Sequence, residues 1–542
     1  MTILINNINY ELRTEENGAF VVECDYKGDI VIPAVINVEG MSVPVIGIAE
    51  EAFYACDDVT SITLPEGLKI IERNAFENMS GLVEIVIPES VCSLGDGALC
   101  CCENLQKVTL PSCIKHIPDN LLESCGSLKE IFLPKGVKSL GEACFAACVS
   151  LRKVVLPEGL EEIGSNVFSL CTGLEEVVIP ATVKRINSFA FYFCSSLKRI
   201  VLPDGLEYVP TDCFGACESL VDVVLPSSVK MVEEGAFALT PYRKSGIRYS
   251  HDLLVSVGTV DSEDGCLYIQ DGTRVVCDTA VCDYDNRLRK VVCPASLRQI
   301  GRHAFVDSEN LTEVVLNEGL ECIDGGAFVN CKKLTHIYIP STVRRIESGL
   351  FVGCDKLEKI VVSPDNPYFD SRENCNAIIE TAGNTLLVAC GKSIIPEDVV
   401  EIADAAFAGL ETLEEITIPE SVKKIQWRAF NSCSHLRKIT FPKHLNYIGE
   451  DAFGYTAWFD EQADGLVIIG DVLYKYKPIN EEGPEPVCEI PEGVKEISMN
   501  AFDLLSRSMR IILPKSLTHY NPDVFVPYFS RYNIVIPPEL SE

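Results

Sequence analysis

Apolar and polar positions along this chain repeat with a period of 23 residues. Residues 174–194 show one period. Within it, Leu174, Val177 and Ile179 alternate with polar or β-branched residues, as expected of a short strand with one buried face. Pro180 removes a backbone donor, so the strand is predicted to end there and the chain to turn.

The second half of the period predicts two further elements. Val183 and Ile186 form another apolar pair, which predicts a second short extended segment. Ala190, Phe191 and Cys194 recur at helical spacing, which favours a short helical turn or an irregular return segment. One period of this kind cannot bury both of its apolar edges, so successive periods are expected to stack on a shared core with parallel strands.

Two columns of residues keep this register along the chain. The proline recurs in steps of 23 at Pro65, Pro88, Pro111, Pro134, Pro157, Pro180, Pro203 and Pro226. The aromatic or leucine position recurs at Phe53, Phe76, Leu99, Leu122, Phe145, Phe168, Phe191, Phe214, Phe237, Phe305, Phe328, Phe351, Phe407, Phe430, Phe453, Phe502 and Phe525. These columns predict an elongated solenoid of the α/β class, with a parallel strand ladder and short helical or irregular return segments.

The repeat L-x-x-[IV]-x-[IL]-P-x-x-[VL]-x-x-[IV]-x-x-x-A-F-x-x-C resembles the BspA-like class of leucine-rich repeats, which occurs in bacterial surface proteins and some parasitic protists. The resemblance covers roughly residues 30–540. It includes NPYFDSRENCNAIIETAGNTLLVAC and DGLVIIGDVLYKYK, which look like interruptions that such proteins carry. It implies a right-handed, horseshoe-like leucine-rich-repeat solenoid for adhesion or protein recognition, and no catalytic site.

Three interruptions of the register define the expected organisation, all within one continuous solenoid. The predicted segments are an N-terminal β cap (1–50), regular repeats (51–240), an irregular hairpin insertion (241–290), repeats (291–363), a hairpin insertion (364–395), repeats (396–454), a hairpin insertion (455–490), and terminal repeats with a C-cap (491–542). In the first insertion, CLYIQDGTRVVCD is predicted to form a hairpin with a type I′ turn at Asp271-Gly272. The hairpins are interpreted as tolerated surface insertions or as binding protrusions.

The chain has 25 cysteines, and ten of them share the column three residues after the aromatic position. These ten are Cys56, Cys102, Cys125, Cys148, Cys171, Cys194, Cys217, Cys331, Cys354 and Cys433. The same column elsewhere accepts Met, Leu, Thr or Ser, so Cys is interpreted as a small buried hydrophobe. The sequence has no C-x-x-C pair, so no zinc site and no cofactor are expected.

Charge and motifs narrow the possible functions. Acidic residues number 79 against 46 basic ones, a formal charge of −33, which argues against nucleic acid or an anionic membrane as a partner. No apolar run approaches the roughly 20 residues of a membrane span. The motifs G-x-x-x-x-G-K-[ST], G-x-G-x-x-G, H-E-x-x-H and G-x-S-x-G are absent, so no enzyme is expected.

The expected location is left open between two interpretations. The sequence shows no secretory signal or anchor motif, and many free thiols suit a reducing compartment, which favours the cytoplasm. The family resemblance implies the cell surface instead. We expect a monomer.

The strand face carries the candidate binding residues. Outward positions lie five, four and two residues before each proline, and the first two of these columns are nearly balanced in charge, which assigns the acidity to the turns and other faces. The third column predicts an exposed apolar row, with basic residues in the neighbouring columns. These partner-binding candidates are Phe132, Val155, Val178, Val201 and Val224, with Arg152, Lys153, Lys198 and Arg199. Val and Thr suit any pleated surface, so the row is interpreted either as β-propensity alone or as a recognition surface.

Three functions therefore remain open. The first is a non-catalytic scaffold that binds a protein or a host-surface ligand across the strand face. The second is a passive structural or surface-layer component. The third is a targeting module for an enzyme in another chain.

Overall fold

The chain divides into two compact units, Met1–His251 (unit 1) and Asp252–Glu542 (unit 2). The computed structural model describes residues 2–23, 25–244, 246–259, 263–281, 287–478, 487–503, 509–518, 524 and 532–537. Both units are stacks of short coils, and neighbouring coils pair their strands in parallel, so the predicted parallel-strand solenoid is confirmed. The predicted repeat position Phe525 lies outside the described residues.

Each coil of unit 1 contributes one strand to a first ladder, which ends before the proline position. Its strands are Gly28–Val31, Val59–Thr63, Glu84–Val86, Lys107–Thr109, Glu130–Phe132, Lys153–Val155, Glu176–Val178, Arg199–Val201 and Asp222–Val224. From Glu84–Val86 onward, the register between hydrogen-bonded strands of this ladder equals the sequence period, as in Phe132 opposite Val155 and Val155 opposite Val178. The spacing of 23 residues therefore places equivalent side chains side by side.

A second ladder of unit 1 runs through the later apolar pair of each coil. Its strands are Ile70–Ile71, Ser93–Leu94, His116–Ile117, Ser139–Leu140, Glu162–Ile163, Arg185–Ile186, Tyr208–Val209 and Met231–Val232, and Ile247–Ser250 follows near the end of the unit. In Arg185–Ile186, Ile186 is buried and Arg185 is exposed, because two-residue strands still alternate between faces.

The N-terminal region forms the predicted strands and continues into the second ladder. Thr2–Ile5, Ile8–Arg13 and Gly18–Val21 pair antiparallel in that order. Gly18–Val21 then pairs in parallel with Met41–Ile48, which also pairs in parallel with Ile70–Ile71 and antiparallel with Val35–Val38. The first coil of unit 1 therefore has a paired edge instead of an open one.

The return segments are turns, so the helical alternative predicted for them is wrong and the irregular one is confirmed. Backbone hydrogen bonds connect them from coil to coil: the Phe168 N–H donates to Ala190 O at 2.8 Å and the Phe191 N–H to Cys213 O at 2.9 Å. Helices in the described part of the chain are limited to Pro241–Lys244, Ala457–Asp460 and one 3₁₀ turn, Arg372–Asn374.

Both α-helices begin where threonine replaces cysteine in its column. The Thr456 Oγ1 accepts from the Phe459 N–H at 3.1 Å, and the Thr240 Oγ1 accepts from the Arg243 N–H at 3.2 Å. Threonine is a good N-cap and cysteine is not, so these two threonine side chains stabilise the helix starts.

Unit 2 repeats the two ladders. The first-ladder strands are Cys266–Tyr268, Lys290–Val292, Glu313–Val315, His336–Ile339, Lys359–Val362, Glu415–Thr417, Lys438–Thr440, Val487–Glu489, Met509–Ile512 and Tyr532–Val535. The second-ladder strands are Leu253–Val257, Val275–Val276, Gln299–Ile300, Cys322–Ile323, Arg345–Ile346, Thr385–Val388, Glu401–Ile402, Lys424–Ile425, Tyr447–Ile448, Val472–Lys477 and Glu496–Ile497.

The hairpin predicted within residues 241–290 is wrong. Cys266–Tyr268 and Val275–Val276 do not pair with each other; they pair in parallel with Lys290–Val292 and Gln299–Ile300. The segment is another coil, and Gly272 has the φ of 92° that a glycine after a strand-ending proline has in other coils.

The other two predicted hairpins are confirmed. Ile378–Glu380 pairs antiparallel with Thr385–Val388, and Phe369–Asp370 extends that sheet. Gly465–Ile469 pairs antiparallel with Val472–Lys477 across Gly470-Asp471. In both hairpins the second strand also pairs in parallel with the next strand of the second ladder, so the hairpins are built into that ladder.

The predicted inward positions form the core. In the coil at residues 174–194, all eight apolar positions named in the sequence pattern are buried. Phe191 stacks on Phe168 and on Phe214, with ring centroids 5.3 Å apart in both pairs. From Phe145 to Phe237 the aromatic column therefore forms a row of stacked rings, which gains packing energy beyond the buried area.

Candidate partner-binding face

The strand face of unit 1 exposes the apolar row that the sequence predicts, which we call the strand-face patch. The exposed fractions of its side chains are 67% for Phe132, 50% for Val155, 70% for Val178, 46% for Val201 and 41% for Val224. The residues directly before the first four, namely Ile131, Val154, Val177 and Ile200, are buried. Alternation along each strand turns one apolar residue inward and the next one to solvent.

Strand pairing aligns the patch across coils. Phe132, Val155 and Val178 occupy equivalent positions in one three-stranded sheet, and Val201 lies opposite Val224 in the next pair of strands. Neighbouring strands lie about 4.8 Å apart. Five consecutive coils therefore present one contiguous apolar row.

Part of this row lines a surface depression of about 800 Å³. Val178, Val201 and Val224 lie along it, and Pro203 and Pro226 border it where the strands end. Charged residues of both signs, among them Glu176, Lys198 and Arg199, complete its lining, so the depression offers apolar and charged walls to protruding side chains of a partner.

Charges of both signs surround the row. Lys153 stands in register between Glu130 and Glu176, and the Arg199 Nε lies 3.0 Å from Asp222 Oδ2. The predicted bases Arg152 and Lys198 are exposed in the neighbouring column. The structure thus brings all nine predicted candidates to one face. It also places acidic side chains between the basic ones. The rim of the face therefore offers both positive and negative groups to a binding protein.

The cysteine column has a structural role that the sequence pattern only partly indicated. The Cys171 S–H donates to Phe145 O at 3.1 Å, and the Cys194 S–H to Phe168 O at 3.2 Å. The same bond to a carbonyl 26 residues earlier recurs at Cys102, Cys125, Cys148, Cys217, Cys331, Cys354 and Cys433. Cysteine in this column therefore supplies both a small apolar volume and a donor for a buried carbonyl.

Burial also keeps these thiols neutral. It raises the pKa of Cys102 and of Cys148 to about 12, and it raises the pKa of Cys171 well above its usual value. A neutral thiol is a poor nucleophile and a poor metal ligand. Over the described ranges, no group of three or more His, Cys, Asp or Glu side chains is placed to hold a metal ion. In the same ranges, no helix has the length and apolar character needed to cross a bilayer.

Comparison with protein families identifies these coils. A family model described as a BspA type leucine rich repeat region matches six copies over residues 46–175, 138–250, 279–381, 389–461 and 486–542, which is well over half of the chain. The chain belongs to the BspA-type leucine-rich repeat family.

Comparison with curated proteins gave no match. Several solved structures align with the chain. A leucine rich cell surface protein from Faecalibacterium prausnitzii is 18% identical, covering 99% of this chain and 96% of that one, with a TM-score of 0.24. A leucine-rich repeat protein from Bacteroides ovatus is 19% identical, covering 98% and 100%, with a TM-score of 0.29. The pneumococcal vaccine antigen PcpA is 18% identical, covering 79% and 93%, with a TM-score of 0.32.

Within these BspA-type repeats, the exposed third column of unit 1 holds valine, threonine or phenylalanine. It holds Thr63 and Thr109 on either side of Val86, and then the five residues of the strand-face patch. The buried position just before it is always a branched apolar residue in the same coils, such as Ile62, Ile85 and Val108. The inward position is therefore restricted to branched apolar residues, whereas the outward position accepts both polar and apolar ones.

Proposed function

We propose that this BspA-type repeat protein is a non-catalytic recognition scaffold that binds another protein, or a host-surface ligand, across the strand-face patch of unit 1. The observation that carries the proposal is the exposure of five apolar side chains on consecutive coils, from Phe132 to Val224. A contiguous apolar surface beside a depression and rimmed by charge is typical of protein-binding sites.

Strand formation alone does not require this row. Threonine stands at the same column position in Thr63 and Thr109, and both strands form in the same ladder. Thr and Val have similar β-propensity, so the strands from residue 130 to 224 would form equally well with threonine at these positions. The large exposed ring of Phe132 exceeds what the strand needs, and a partner that covers it would gain the transfer energy of the buried apolar area.

The triple variant Val155→Thr, Val178→Thr and Val201→Thr tests the proposal. Each substitution removes about 1 kcal/mol of apolar burial at an interface. Together they are expected to lower the affinity for a co-purified partner by about a hundredfold. The melting temperature should stay unchanged, because threonine preserves the strand. Affinity is measured by calorimetry with the partner purified from native cells.

Val86→Thr is the matched control, since Val86 is 58% exposed in the same column and lies outside the patch. Its partner affinity should equal that of the wild type. Unchanged affinity in the triple variant would exclude the patch as the site. Absence of any stoichiometric partner would favour the passive structural role, and an enzyme bound elsewhere on the surface would favour the targeting module.

A further inference from the structure

The return segments repeat a backbone conformation that suits few residues. The residue two places after the aromatic position has a positive φ in coil after coil, as in Asn78 at 65° and Asn330 at 59°. Gly353 and Gly409 occupy the same position with φ of 72° and 70°. Asparagine and glycine adopt this left-handed conformation at low cost, whereas bulky side chains do not.

Four described coils break this preference, at Leu170, Phe193, Leu239 and Tyr455, and the first two of these coils are neighbours in unit 1. Leu170 and Phe193 stand at that position with φ of 62° and 60°, and Phe189 has a φ of 61° at the other left-handed position of its coil. The Leu170 side chain is 44% exposed and that of Phe193 is 37% exposed. An exposed bulky side chain on a strained backbone gains little packing in return, so folding alone gives no reason for these residues.

Together these residues form a second apolar surface, the return patch, made of Leu170, Phe189, Tyr192 and Phe193. The Phe189 and Tyr192 rings meet edge-on at 5.6 Å, and the Tyr192 and Phe193 centroids lie 6.2 Å apart. Tyr192 lies across Gly215, where an added Cβ would come within 3.2 Å of its ring. The three rings of the return patch therefore lie side by side, and Tyr192 extends the patch to the next coil.

The return segments on either side of the return patch carry acids and no bases. Return segments 164–172 and 187–195 contain no charged residue at all. The flanking segments 118–126, 141–149 and 210–218 contain no Lys or Arg but five acids, namely Asp119, Glu123, Glu142, Asp212 and Glu218. A neutral apolar surface about two coils wide thus lies between acidic borders, in contrast to the mixed charges of the strand-face patch.

We propose that the return patch is a second docking surface, for a polypeptide segment that carries apolar side chains flanked by lysine or arginine. Apolar side chains of the partner would pack on Leu170 and the aromatic rings, which are the residue types that dominate binding energy at interfaces. Its bases would face the acidic borders, which favours association and fixes orientation. This site is independent of the strand-face patch and of any partner bound there.

The double variant Leu170→Asn and Phe193→Asn of the full-length protein tests the return patch. The probe is a synthetic amphipathic peptide of Leu and Lys, compared with a Leu and Glu peptide and a Lys and Ser peptide by fluorescence anisotropy. The wild type is expected to prefer the Leu and Lys peptide over both others. The double variant should bind it roughly thirtyfold more weakly, while its melting temperature stays equal or rises, because asparagine relieves the left-handed strain.

Ala147→Asn is the matched control, since Ala147 has a φ of 56° in the same column one coil earlier. It should leave peptide affinity unchanged. Val178→Thr should also leave it unchanged, which separates this surface from the strand-face patch. Equal binding of the Leu and Lys peptide to wild type and double variant would overturn the proposal, as would equal binding of all three peptides. A lower melting temperature of the double variant would also overturn it, because the two side chains would then serve folding.

Discussion

Raising the pH from about 8 to about 10 is expected to unfold the coils of unit 1, because the cysteine column is built of thiols that cannot ionise while folded. Burial raises the pKa of Cys102 and Cys148 to about 12, and raises the pKa of Cys125, Cys171 and Cys194 well above its usual value. In the unfolded chain each thiol has an ordinary pKa of about 8.5.

The sign of the effect follows from these pKa values. Below about pH 8.5 both states hold the proton, so the stability contributed by the neutral thiols is fully present. As the pH rises from there toward the raised pKa of the folded state, only the unfolded chain loses protons and becomes more favourable. Each thiol then lowers the free energy of unfolding by about 1.4 kcal/mol per pH unit, so five thiols lower it by about 7 kcal/mol per pH unit.

Urea unfolding followed by circular dichroism at several pH values, with a reductant present, measures this slope. The variant Cys171→Ala with Cys194→Ala is the control, and its slope should be smaller by about 2.8 kcal/mol per pH unit, the contribution of two thiols. Stability that stays flat between about pH 8 and pH 10 would contradict the account, as would the same slope in the control.

Phe191→Ala is expected to be the most damaging single substitution in the repeat core. Phe191 is fully buried and stacks on Phe168 and on Phe214. Truncation removes a large apolar side chain and leaves a cavity between two rings, which typically costs about 3–5 kcal/mol. Because repeats depend on their neighbours, native-state hydrogen exchange should accelerate first in the coils on either side of residue 191.

Phe191→Leu is the matched variant, since leucine already occupies this column in Leu99 and Leu122, both fully buried. We expect Phe191→Leu to lower the free energy of unfolding by less than half as much as Phe191→Ala does. A similar loss for the two variants would show that the aromatic stack itself, and not side-chain volume, stabilises the column. A negligible loss for alanine would contradict the assignment of Phe191 to a close-packed core.

The repeat could be predicted closely because every coil has the same pattern of apolar and polar positions. A single period of Leu174, Val177, Ile179 and Phe191 is weak evidence of a fold, but its recurrence identifies every inward column, and the structure buries those columns as expected. The register between strands also follows from the period, because a stack of equal coils places residues 23 apart side by side.

The failed hairpin at residues 266–277 shows where a local signal misleads. Asp271-Gly272 suggests a tight turn between two strands. In the structure, Gly272 instead occupies the left-handed position that Gly67 and Gly159 hold after their prolines, with φ of 92°, 100° and 101°. Its N–H donates to Ser296 Oγ at 3.0 Å, as the Gly67 N–H does to the Ser90 Oγ at 2.9 Å. Gln270 replaces the proline of this coil, which hid the register from the sequence pattern.

The strand-face patch could be predicted from alternation, but its surroundings could not. Exposure of Phe132 and Val178 follows from their place one residue after a buried strand position. The depression depends on how Pro203 and Pro226 turn the chain at the strand ends, which composition does not show. The return patch depends on the positive φ of Phe193, which only the backbone reveals.

The most direct test of the strand-face assignment is side-chain footprinting of the protein with and without its co-purified partner. Hydroxyl-radical labelling reports the solvent exposure of Phe132, Val155 and Val178, and the exposed Tyr455 of unit 2 serves as the internal reference. If the strand-face patch is the binding site, the partner protects the three patch residues and leaves Tyr455 labelled as before. Unchanged labelling of Phe132, Val155 and Val178 in a saturated complex would contradict it.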